Sequence, residues 1–152
     1  MDLSGVMKVL GGQKVLGKRI KSRMDLLELS KSGVPKKALA HLAKYMSLSV
    51  RQMAEFLPVT ERTIQRYGPE THFNRVVSEQ ILQIAEVAAK GVEVFEDTNK
   101  FLWWMNNPNK ALANKTPASL LSSRFGIEMV LDELGRLEHG GCSPSGNLSN
   151  TN

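Results

Sequence analysis

The sequence predicts an all-α protein, and three observations carry that prediction. Apolar residues recur at three- and four-residue steps along most of the 152-residue chain. The strict alternation of apolar and polar residues that marks a half-buried strand is sustained nowhere. Breaks fall at Gly and Pro pairs such as Gly68-Pro69, which cut the chain into helix-sized pieces. The length suits one domain or two very small ones, and a hydrophobic content of 41% is enough for a packed core.

Residues 1–23 carry Lys8, Lys14, Lys18, Arg19, Lys21 and Arg23 together with Gly11, Gly12 and Gly17. They read as a weakly structured basic arm with at most one short helix. The Gly11-Gly12 pair has neither the preceding strand nor the Gly-Lys-Ser/Thr ending of a phosphate loop. "RMDLLELSKSG" (23–33) reads as a helical turn or two closed by Gly33. Pro35 suits the first position of the next helix, where its missing N–H is not needed. Leu39, Leu42, Ala43 and Met46 then form one apolar face.

Ser49 can cap a helix bearing Val50, Met53, Ala54 and Leu57. Pro58 ends it, because the residue before proline avoids helical geometry. Thr60 caps a third short helix, with Ile64 inward. Val77, Ile81, Ile84, Ala85, Ala88, Val92 and Phe95 mark a long amphipathic helix over roughly residues 74–96. Beyond it, "NKFLWWMNNPNKALANKTPASLLSSRFG" (99–126) is made of short pieces. These are a helix to Asn106, a turn at Asn107-Pro108, a loop to Lys115, and a short helix capped by Thr116 and stopped by Gly126. Ile127, Val130, Leu131, Leu134 and Leu137 define the last helix, which Gly140-Gly141 ends. "CSPSGNLSNTN" (142–152) should be a flexible tail.

Charge divides the chain. Residues 1–90 hold 15 Lys+Arg against 8 Asp+Glu, and residues 91–152 hold 5 against 7. A basic first part attracts polyanions, and the mildly acidic remainder points to a second role. The apolar stretches are too short to span a bilayer, and the start lacks the order of a signal peptide, so a cytoplasmic protein is expected. The single cysteine, Cys142, has no partner for a disulfide or a metal site. No nucleophile motif, phosphate loop or metal spacing involves His41, His72 or His139. No cofactor and no enzymatic activity are expected.

"LSVRQMAEFLPVTERTIQRY" (48–67) meets most demands of a helix-turn-helix. Ala54 is the small residue where the two helices touch, and Met53, Leu57, Val59 and Ile64 can seal the elbow. Thr60, Glu61, Arg62, Gln65 and Arg66 supply a polar second helix, in which Arg can address guanine and Gln adenine. Ser49, Arg51 and Gln52 stand where a first helix holds phosphates. Pro58 occupies a turn position commonly given to Gly, and its φ is locked near about −65°, so this turn must be built differently. A plain helical hairpin with a solvated charged face is one competing reading, and a scaffold helix pair used for dimerisation is another. In the second half, Trp103 and Trp104 point about 100° apart on a helix, so one ring can be core and the other interface; both rings partly buried in the chain's own core is the competing reading.

Gly-x-Pro at 33–35, the 48–67 segment, "WMNNPNKAL" (104–112), "TPASLLSSRFG" (116–126) and "VLDELGRLEHG" (130–140) occur in the order of the Xre/MbcA/ParS-like antitoxins. The sequence resembles that family over residues 8–140. The resemblance implies an all-helical fold: a basic N-terminal arm (1–32), an Xre-like helix-turn-helix domain (33–97), a toxin-binding domain (98–140) and a tail (141–152). It implies neutralisation of a RES-domain toxin that degrades NAD, often with repression of the shared operon through operator DNA; a homodimer within the toxin complex is expected beside it. By the same resemblance Arg136, Glu138, His139 and Gly140 lie near the mouth of the toxin's active site, with Trp104 in the matching motif. Asp132, Glu133 and Glu138 are acids that can complement a basic, dinucleotide-admitting pocket. The bland reading of these acids is a solvated helix face. Asn114 stands where the family often has Gly, and Ser123 where Thr is usual. A stand-alone repressor without a toxin is the alternative function, and a helical interaction module is a third.

Overall fold

Helical periodicity becomes nine α-helices and two 3-10 turns among residues 3–140, the part of the chain that the computed structural model describes. Extended pairing within it is limited to isolated bridges, Pro35 with His72 and Asn109 with Lys115. The chain forms two compact units, Met1–Ala88 and Ala89–Asn152. The tail expected to be flexible, with Cys142, lies outside the described residues.

The first unit opens with α1 (Ser4–Val9), α2 (Gln13–Leu16) and α3 (Arg23–Ser32). This corrects the expectation of a weakly structured arm. Val6, Val9, Leu10, Leu16 and Ile20 are buried. The glycines that lower helix propensity here are what makes the packing possible. Gly11, Gly12 and Gly17 take φ of +102°, +83° and +78°, left-handed values that fold short apolar pieces back on one another. A capping box opens α3: the Ser22 hydroxyl accepts from the Asp25 N–H, and Asp25 accepts from the Ser22 N–H. The Lys21 N–H, which donates to the same carboxylate at 2.8 Å, is the main cause of Asp25's lowered pKa.

Pro35 precedes α4 (Lys36–Tyr45) as its cap, one residue earlier than expected. With no capping side chain, the first N–H groups find backbone partners: Lys36 donates to the Thr71 carbonyl and Lys37 to that of Pro69. Next come α5 (Val50–Ala54) and α6 (Glu61–Arg66), then the long α7 (Arg75–Phe95), close to its expected span. Ile81, Ile84, Ala85 and Ala88 form its buried stripe. Ser78 on α7 is buried and satisfied, accepting from the Val34 N–H at 2.9 Å and donating to the Phe73 carbonyl at 3.2 Å. Glu86 is buried and held by the Arg23 guanidinium at 2.9 Å.

The second unit begins within α7 and continues through α8 (Thr98–Met105), 3-10 turns at Lys110–Leu112 and Pro117–Leu120, and α9 (Arg124–His139). Asp97 caps α8 by accepting from the Asn99 and Lys100 N–H groups. A Cβ on Gly91 would overlap the Phe101 ring, which accounts for a glycine inside α7. Asn114 has φ +63°, a left-handed position that Gly favours and Asn tolerates. Thr116 caps as expected, but it opens a single 3-10 turn, not a helix running to Gly126. Gly126 lies inside α9. The Ser123 hydroxyl caps that helix by accepting from the Gly126 N–H at 3.0 Å, so the helix starts ahead of the apolar seam at Ile127.

Candidate functional site

The elbow between α5 and α6 is sealed by Met53 and Ile64, fully buried, and by Ala54 and Leu57, nearly so; Val59, also expected there, is only half-buried. Pro58 is accommodated by a different backbone route. No residue from Leu48 to Tyr67 has a positive φ. The chain leaves α5 through three-residue turns, with Phe56 N–H donating to the Met53 carbonyl and Leu57 N–H to that of Ala54. It then runs extended into the Thr60 cap, at φ −81° and ψ 153°. From α7 the Gln80 side chain donates to the Phe56 carbonyl at 2.5 Å and ties this turn down. Sequence reasoning missed Gln80, since nothing in its local pattern marks a contact 24 residues away.

On the outer surface Arg62, Gln65 and Arg66 are exposed along α6. Glu61 is half-buried; it lies 3.7 Å from the Arg51 guanidinium and accepts from Gln65 at 3.4 Å. Ser49 and Gln52 form a capping box. The Ser49 hydroxyl accepts from the Gln52 N–H at 3.0 Å, and the Gln52 side-chain Oε1 accepts from the Ser49 N–H at 2.9 Å. Thr60 is likewise a cap, accepting from the Thr63 N–H. Three of the eight candidate contacts therefore also build the local fold, and all three remain exposed.

In the second unit the two tryptophans divide, as their separation of about 100° allows. Trp104 is 5% exposed and packs on Phe95 with ring centroids 5.6 Å apart, whereas Trp103 is 54% exposed. The ring singled out by motif is thus a core ring, and its neighbour faces solvent. Of the acids, Glu133 is buried and gripped by Arg136, whose Nε lies 3.0 Å from both carboxylate oxygens. That hydrogen bonding raises the Arg136 pKa further. Glu138 accepts from Lys90 Nζ at 2.8 Å and lies 3.4 Å from His139 Nε2. The Lys90 hydrogen bond is the main cause of its lowered pKa. Asp132, His139 and Gly140 are exposed.

Two further side chains stand out on α9. Phe125 is 82% exposed and Met129 44%, one turn apart on the face opposite the buried Ile127, Val130, Leu134 and Leu137. Their exposure is readable in principle, since positions 125 and 129 fall outside the apolar seam. Starting the helix at Ile127 hides it. Among the described residues no group of three His, Cys, Asp or Glu comes together, and no helix is long and apolar enough to cross a membrane.

A sealed helix pair with a polar second helix, followed by a separate helical unit that exposes aromatic side chains, defines a helix-turn-helix protein with an appended interaction unit. Comparison with known families gives the same division. Residues 25–86 match the antitoxin Xre-like helix-turn-helix domain, and residues 90–140 match the antitoxin Xre/MbcA/ParS C-terminal toxin-binding domain. The chain belongs to the Xre/MbcA/ParS-like antitoxin family. It is similar to an Antitoxin Xre of Yersinia enterocolitica, 38% identical over 76 residues, covering 49% of this chain and 47% of that one. It is also similar to an Antitoxin Xre of Photorhabdus laumondii, 34% identical over 77 residues, covering 50% and 52%. The chain thus spans about half the length of the curated relatives it matches.

Proposed function

We propose that this protein is the antitoxin of a toxin–antitoxin pair: its second unit binds and occludes a RES-domain, NAD-degrading toxin, and its first unit represses the shared operon. One observation carries the reading. Within the span that matches a toxin-binding domain, Trp103, Phe125 and Met129 are large, apolar and exposed. Aromatic side chains left in water at that cost are characteristic anchors of a protein interface.

Occlusion is electrostatic as well as steric. A pocket that admits an anionic dinucleotide is basic, and the outer face of α9 offers it Asp132, with Glu138 available once it exchanges its Lys90 partner for the toxin's cations. Glu133 contributes differently: its charge is spent on Arg136, which it aims and holds at the surface. Arg136, His139 and Gly140 then close the toxin's mouth. The protein acts in the cytoplasm as a homodimer within the toxin complex, and Arg62, Gln65 and Arg66 read the operator groove, with Ser49, Arg51 and Gln52 on its phosphates.

The test is co-expression with the product of the neighbouring reading frame, followed by co-purification and growth rescue. Truncation after Asp132 should abolish protection while leaving the first unit folded. Full protection by that truncation would remove the α9 end from the mechanism. Absence of any adjacent toxin gene would favour a stand-alone repressor. Ala at Arg62 and Arg66 should weaken operator binding and leave toxin binding intact.

A further inference from the structure

Gly11 and His41, which the function above does not use, lie against one another. Lys8 and Val9 on α1 and His41, Lys44 and Tyr45 on α4 line a surface cleft of about 380 Å³. That size suits a phosphate with its attached sugar. Val9 is buried and forms an apolar floor, whereas Lys8, His41 and Lys44 are exposed. Among the described residues no carboxylate lines the cleft, and neither lysine is paired with an acid, so their charge is not cancelled locally. The backbone fixes where the His41 ring can lie. Gly11 sits at φ +102°, and a Cβ there would lie 2.7 Å from the His41 Cδ2. Only a glycine lets the imidazole lie against the end of α1.

We propose that this cleft binds a phosphate group of the DNA backbone, outside the groove-reading helix. Two point cations from different helices, with a ring nitrogen and a phenol beside them, suit a group with several acceptor oxygens. The cleft is also close to the start of α5 along the chain. After Lys44 the backbone turns tightly, with the Leu48 N–H donating to the Ala43 carbonyl at 2.8 Å and Ser47 at φ +57°. Ser49 then begins α5. Five residues of chain span at most about 17 Å. That is about five nucleotide rises along one strand. Lys44 therefore lies no more than about 17 Å from Ser49, a separation that a few nucleotides of one strand can bridge. This inference rests on the DNA-binding part of the reading above; a free nucleotide offers the same phosphate chemistry and is the alternative source.

The experiment compares the full chain with Lys8→Gln/Lys44→Gln. In the DNA arm, affinity for operator and for a random duplex of equal length is measured against salt. The variant should weaken both duplexes equally and lower the magnitude of the salt slope by about 2. Arg at both positions should restore it. In the nucleotide arm, AMP and inorganic phosphate are titrated while the His41 and Tyr45 ring signals are followed by NMR. Shifts in the native chain that the variant loses would assign the cleft to a free phosphate ester. An unchanged salt slope together with no AMP- or phosphate-dependent shift overturns the proposal. If the native chain binds no duplex, the operator reading fails and the nucleotide arm alone decides the cleft.

Discussion

Alanine at Gly126 should reverse the usual helix arithmetic, and Gly135 in the same helix supplies the control. Glycine inside a helix costs about 1 kcal/mol against alanine. Nothing lies within 4 Å of a Cβ placed on Gly135. Gly135→Ala should therefore stabilise by about 0.5–1 kcal/mol. On Gly126 the same atom would stand 2.8 Å from the Leu120 carbonyl carbon and overlap its oxygen. Ordinary carbon–oxygen contact is about 3.2 Å, so the overlap with the Leu120 oxygen forces α9 or the 3-10 turn ending at Leu120 to retreat by more than about 1 Å. The obstacle is backbone, which cannot swing aside as a side chain would. Overpacking of this kind costs about 1–3 kcal/mol, and the upper end applies here. After the helix gain, Gly126→Ala should destabilise by about 2 kcal/mol, leaving the two substitutions about 3 kcal/mol apart. Urea unfolding followed by tryptophan fluorescence is the suitable assay, because Trp103 and Trp104 both belong to the second unit and report on it alone. Equal m-values would show that the midpoints compare stability. A Gly126→Ala protein as stable as the native one would refute the packing of α9 against the 3-10 turn.

Three further outcomes rest on the same geometry. Phe125 is 82% exposed, so docking it can remove roughly 120 Å² of ring from water. At about 25 cal/mol per Å², less the ordering of the side chain, Phe125→Ala should weaken toxin binding by about 2 kcal/mol, roughly 30-fold in Kd. Calorimetry with the purified toxin checks it, and the unfolding midpoint should not move. Arg23→Met leaves the buried Glu86 carboxylate without its guanidinium. Discounted for the exposed arginine, the loss should be about 1–2 kcal/mol, read by urea unfolding monitored by far-ultraviolet circular dichroism. Glu138 has a folded pKa below its ordinary 4.5, chiefly through the Lys90 hydrogen bond. Its stabilisation is therefore present above pH 4.5 and is lost as pH falls through the lower folded value. Lys90→Gln should lower stability at pH 7 and flatten the acid limb; equal losses at pH 7 and at about pH 3 would refute the linkage.

Particular elements show why some of this is legible in the sequence and some is not. The face of α7 and the caps at Ser49, Thr60 and Thr116 arise from local periodicity and hydrogen-bonding chemistry, and they stand where the sequence puts them. Gly126 misleads a local reading because a glycine after a short apolar run usually ends a helix. Here it permits close approach of the Leu120 carbonyl, a contact between two elements that no local rule contains. The basic start misleads for the same class of reason. Its glycines look like weak helix formers, but their positive φ values are what fold Val6, Val9 and Leu10 into the core.

At the candidate site the sequence alone names the polar side chains of α6 and the acids and basic groups of α9, because residue type and helical spacing are written in the chain. It states that Trp103 and Trp104 diverge. It does not state which one is buried. Phe95 approaches Trp104 across a helix–helix contact, and only that tertiary packing decides which ring is free for a partner. Ion pairing is decided in the same way. Glu133, Glu138 and Asp132 are all acids on one helix, yet Arg136 takes the first, Lys90 takes the second from 48 residues away, and Asp132 stays exposed. Local periodicity fixes which face a residue occupies; what stands opposite that face is a property of the folded chain.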